Sequence, residues 1–163
     1  MAITQEQLAL AQKVHDQITA FLSGMKVQIY SDDFKDDMHL MKCKITGDDL
    51  TMQLNIVVRA DQQVAAVYSP MPFDVPEDKR LEMAVAITAV NYGLYEGSFD
   101  YDIKTGNIVF RLSNCFKGGA FNETLPEHMI FRSLRIVDHY NDKLLVLANG
   151  TITLERFLEV MDN

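Results

Sequence analysis

Hydrophobic positions recur along the chain with two different periods, and each change of period marks an element. From Thr4 to Gly24 the spacing is helical. Leu10, Val14, Ile18 and Phe21 share one stripe with Ala11 and Leu22 beside it, while Glu6, Lys13, Asp16 and Gln17 take the opposite side. Thr4 and Gln7 form a capping-box pair at the start, and Gly24 is a natural stop. The period then falls to two. Lys26–Tyr30 reads as a short strand, and His39–Thr46 alternates Met41, Cys43 and Ile45 against Lys42 and Lys44. Leu50–Arg59 is the clearest strand, with Leu50, Met52, Leu54, Ile56 and Val58 on one face. Gly47-Asp48-Asp49 and Asp61-Gln62 turn the chain, and Val64–Ser69 returns. Ser31–Asp37 reads as an exposed acidic loop without calcium-loop spacing, and Pro70, Pro72 and Pro76 are expected to break the ladder.

The stretch from Lys79 to Ser113 reads as a helix, a turn and a hairpin. Its helix is apolar on two sides. Leu81, Val85, Thr88 and Tyr92 make one stripe, and Met83, Ile87, Val90 and Leu94 make the opposite one. A helix covering a single core needs one such stripe, so the second predicts a partner, and a two-fold homodimer supplies it most simply. The expected dimer seam is Met83, Ile87, Val90 and Leu94. The hairpin follows as Ser98–Ile103, a glycine turn at Lys104–Asn107, and a strand with Ile108, Phe110 and Leu112 inward. After a loop over Cys115–Thr124, a long helix runs from Pro126 to about Ala148, and a short helix capped by Thr151 or Thr153 closes the chain.

Residues 1–163 therefore read as one domain of the α+β class, a twisted antiparallel sheet with helices packed on one face. The chain carries 15 basic and 23 acidic residues for a net charge of -8, which argues against nucleic acid and anionic membrane as partners. Two cysteines, Cys43 and Cys115, are too few for a disulfide framework and are expected to be small buried hydrophobes. No signal peptide or spanning segment is visible in the sequence, so a cytoplasmic location is the expectation. His15, His39, His128 and His139 fall on positions read as exposed or intermediate, outside any metal or hydrolase motif. The expectation is a protein without enzymatic activity, cofactor or metal.

The run A-x-x-x-V-N-Y-G-L-Y-E-G-S-F-D-Y-D-I-K-T-G-N-I-V-F-R-L-S, Ala86–Ser113, resembles the signature of the YbjN-domain family. The P-x-D-V-P segment at Pro72–Pro76 and Asp138-His139-Tyr140 in the long helix agree with it, so the resemblance covers roughly residues 3–150. It implies a fold similar to type III secretion chaperones, commonly dimeric through the central helix, and the label of a bacterial sensory transduction regulator. The function expected on that footing is a homodimeric, chaperone-like adaptor that binds a segment of a partner protein. Candidate partner-binding residues are apolar positions on the nominally wet faces, Val57, Val67 and Val109 with Leu40, and the Met71-Pro72-Phe73 loop. The alternative is a small-molecule sensor or enzyme using the crevice between sheet and helices.

Overall fold

A computed structural model describes residues 3–47 and 50–161. Helix α1 (Gln5–Gly24) opens the chain, its capping box formed by Thr4 and Gln7 in both directions. Four strands follow, β1 (Ile29–Lys35), β2 (Met38–Thr46), β3 (Thr51–Arg59) and β4 (Val64–Asp74). After one 3-10 turn at Glu77–Lys79 come α2 (Arg80–Gly93), the hairpin β5 (Ser98–Asp102) and β6 (Asn107–Cys115), then α3 (Leu125–Ala148) and α4 (Leu154–Val160). The strands form one antiparallel sheet in the order β1-β2-β3-β4-β6-β5. The expected turn at Gly47-Asp48-Asp49 falls partly on Asp48 and Asp49, which lie outside the described residues.

Register decides which side chains face the helices. Ile56 pairs with Val67 and Val67 with Leu112, so these share one face, and all three are buried. Met41, Leu54, Phe110 and Phe99 extend the same layer. Helices α1 and α3 lie against it, and α2 packs on β5, α3 and α4. Phe99 meets Phe110 and Tyr140 edge-on at 5.1 and 5.7 Å, tying the hairpin to α3. Between Ile18, Ile56, Val67, Pro126, Met129 and Ile130 the packing leaves no room for a water molecule. The opposite face of the sheet is open.

Two strands depart from the sequence expectation. The acidic segment Ser31–Asp37 is mostly strand, with β1 paired to β2 from Ile29 to Lys35. Its turn residues Asp36 and Asp37 have φ of 52° and 59°, the left-handed pair that a two-residue hairpin turn requires and that aspartate tolerates. Pro70 and Pro72 do not end β4, which continues to Asp74. β4 pairs with β3 only from Val64 to Tyr68, and beyond that its sole ladder is with β6. The prolines thus sit on a half-free edge, where a missing N–H leaves no ladder bond unmade.

Candidate functional site

Helix α2 carries two apolar stripes as its periodicity predicts, but the stripe expected to face a second copy is the one turned inward. Met83, Ile87 and Val90 are buried within the chain's own core and Leu94 packs against it. Met83, Ile87 and Val90 have almost no free surface to offer a second copy, so the expected seam is corrected to an internal one at these three positions, and Leu94 is half-buried beside them. What covers it includes α4, the short last helix, which docks on α2 and buries Phe157 completely. The stripe left outside is Leu81, Val85 and Tyr92, with Thr88 between them and Tyr95 just beyond the helix end. Leu81 is 76% exposed, Val85 50%, Tyr92 95% and Tyr95 98%. Four of the nine exposed large hydrophobic residues among those described thus lie on this helix or its C-terminal turn, and no charged side chain interrupts their line. Clustering of that kind marks a contact surface where scattered exposure would not.

The candidate partner-binding residues separate into two groups. Val67 and Met71 are buried beneath the helices, because Val67 shares the parity of Ile56 and because β4 runs on through the segment expected to be a loop. They are corrected to core positions. Phe73 is half-buried and packed against the core. Val57 and Val109 do lie on the open face, each half-buried. Val57 faces Leu40 and Ala66 across the ladder and Val109 faces Pro70, with Tyr68 between the two pairs on β4. The result is a narrow oblique apolar strip, bordered by Lys42 and by Arg111, which grips Asp100 through two hydrogen bonds of 2.6 and 3.0 Å. The outer edge strand β1 presents Asp32, Asp33 and Lys35, charges that discourage strand addition there.

A third arrangement was missed in the sequence. His15 of α1 and His39 of β2 are both buried, at 9% and 7% exposure, and stack with ring centroids 4.3 Å apart. His15 Nε2 lies 3.0 and 3.1 Å from the two carboxylate oxygens of Asp32 on β1, and its Nδ1 lies 3.1 Å from Asp16. Phe34 covers the far side of His39 at 4.6 Å. Burial, followed by the neighbouring His15, holds the His39 pKa below the ordinary imidazole value and favours the neutral ring, against a weaker opposing pull from Asp32 and Asp16. The signal was present in the pattern. His15 stands on the stripe of Ala11, Ile18 and Leu22, and His39 has the parity of Met41, Cys43 and Ile45. Asp32 joins them only once Ser31–Asp37 is recognised as strand.

The other two histidines are at the surface. His128 faces Glu96 at 3.1 Å, with both groups exposed, and His139 accepts a hydrogen bond from Lys143 at 3.1 Å. Cys43 is fully buried and its thiol is pushed up to about 11 by that burial, whereas Cys115, expected inside, is exposed on the open face of the sheet. No described helix is long and apolar enough to cross a membrane. No family model and no curated protein matches the chain.

Proposed function

We propose that the protein is a non-enzymatic, homodimeric protein-binding module, in which the outer stripe of α2 is the dimer seam and the open sheet face holds a segment of a partner protein. The observation that carries this reading is the exposed row Leu81, Val85, Tyr92 and Tyr95. Its occupant is a second copy of the chain. A charge-free stripe on a 14-residue helix, about 21 Å long, is complementary to itself across a two-fold axis and to little else on so acidic a molecule. The strip of Val57, Tyr68, Pro70 and Val109 is smaller and has polar borders, which suits a weaker, exchangeable contact with an apolar client segment. A small-molecule crevice between sheet and helices has less support, since the layer is filled between Ile18, Ile56, Val67 and Met129.

Light scattering at micromolar concentration tests the seam. The expected mass is twice that of the 18.5 kDa chain, and Val85→Asp or Tyr92→Asp should return it to one chain while leaving the circular dichroism spectrum unchanged. A monomeric wild-type protein sinks the reading. For the client surface, peptide-array binding that survives Val57→Glu and Val109→Glu together would show that the open face is not where a partner sits.

A further inference from the structure

The cluster of His15, Asp32 and His39 belongs to neither of those surfaces. We propose that these three side chains form a binding site for one divalent transition-metal ion, with zinc the best match to two imidazoles and a carboxylate. Three elements separated in the chain, α1, β1 and β2, bring the ligand atoms within 4.8 Å of one another. Tetrahedral zinc with bonds of about 2.0–2.1 Å needs ligand separations of about 3.3 Å. His15 Nε2 and the Asp32 oxygens, at 3.0 and 3.1 Å, are already near that spacing. The His39 ring closes the third position by turning out of its stack.

The hydrogen bonds around His15 leave room for the same reading. A neutral imidazole has one N–H and one lone pair, and His15 has a carboxylate at each nitrogen, Asp16 at Nδ1 and Asp32 at Nε2, with the Gln12 amide nitrogen 3.3 Å from Nδ1 as a second neighbour there. If Nδ1 donates to Asp16, the Nε2 lone pair faces the Asp32 oxygens, and a cation between them turns a repulsive contact into two bonds. Asp16 is fixed in turn by the Gln12 amide at 2.8 Å. A carboxylate that orients a ligating histidine from its far nitrogen is the usual second layer of a zinc site. His39 has ring contacts but no hydrogen bond to either nitrogen among the described residues, so a lone pair is free to ligate. Asp32, with its side chain 39% exposed, leaves a path for the ion and a fourth position for water. Calcium and magnesium, which take oxygen ligands, are excluded by the two imidazoles. An ion held here would staple α1 to the β1–β2 hairpin at the edge of the sheet.

Isothermal titration of the tag-free full chain with zinc sulfate at pH 7.5 tests this. One equivalent should bind, and a hundredfold excess over Kd should raise Tm by about 5–10 °C. Asp32→Asn and His39→Gln should each weaken binding at least tenfold, and His128→Gln should leave it unchanged. Cobalt added to the wild-type protein should give the intense visible bands of a four-coordinate ion, a readout independent of any variant's folding. A His15 that only hydrogen-bonds its neighbours, Gln12 and Asp16 at Nδ1 and Asp32 at Nε2, gives a different set of results. Zinc then binds without saturation, or with the same affinity in Asp32→Asn, and cobalt shows only the weak spectrum of the hydrated ion; any of these overturns the site.

Discussion

Asn91 is placed where α2 stops, and its amide closes on the backbone of Phe99, donating to the carbonyl at 2.9 Å and accepting from the N–H at 2.8 Å. It completes the edge of β5 as a neighbouring strand would. Asn91→Ala leaves two half-buried backbone groups without these bonds and is expected to cost about 1–3 kcal/mol in urea unfolding. Gly106 is constrained twice over, by a φ of 86° and by the Val75 carbonyl standing where a Cβ would go. Gly106→Ala should therefore destabilise by more than the roughly 1–3 kcal/mol of a left-handed backbone alone. The glycine was readable in the sequence, because a Lys-Thr-Gly-Asn turn between alternating strands demands positive φ. The asparagine's bond was not, since its partner is defined by the tertiary path. The cysteines divide in a similar way. Cys43 has the parity of Met41 and Ile45 and is legibly internal, whereas Cys115 has the opposite parity to Phe110 and Leu112; its exposure follows from the strand's alternation once β6 is seen to run to Cys115 and not to stop before it. Native alkylation should label Cys115 and spare Cys43, whose raised pKa and burial leave little accessible thiolate.

At the scale of elements, the two stripes of α2 were legible and their assignment was not. Both are apolar, so periodicity alone cannot say which one turns inward; that choice is made by what else in the chain packs on the helix. The deciding piece is α4. Thr153 caps it by accepting from the Arg156 N–H, and Phe157 is its one fully buried side chain. Substituting Phe157 with alanine should cost about 3–5 kcal/mol, as large aromatic deletions in cores do, and should expose the inner stripe of α2 to dye binding. The same geometry separates two charge insertions on one helix. Val90→Asp places a carboxylate at a position with no exposed surface and is expected to unfold the chain, whereas Val85→Asp is expected to alter its mass only. β1 went unread for another reason: the run Ser31-Asp32-Asp33-Phe34-Lys35 carries almost no β signal, and only pairing with β2 makes the segment a strand.

Over the whole molecule, the protonation of a few groups sets how stability follows pH. His39 and His139 both have pKa values below the ordinary imidazole value, first because burial penalises the charged ring and then because of a nearby basic group, His15 for the one and Lys143 for the other. The charges facing His39 come from α1, as His15 and Asp16, and from β1, as Asp32; the two carboxylates oppose the shift without cancelling it. A histidine with a lowered folded pKa binds its proton more readily in the unfolded chain. Unfolding therefore takes up protons below the ordinary imidazole value of about 6.5, and stability, unaffected well above that value, falls as pH drops through it. The carboxylates of Asp16, Asp61 and Asp102, lowered mainly by hydrogen bonds, act at the other end. Their contribution is present above about pH 4 and disappears only in stronger acid. Urea midpoints should thus decline between pH 7 and 5, and His39→Gln should flatten the decline; an unchanged slope in that variant would mean that another group governs it. With zinc bound the decline should become steeper, since protons then compete with the ion for its ligands.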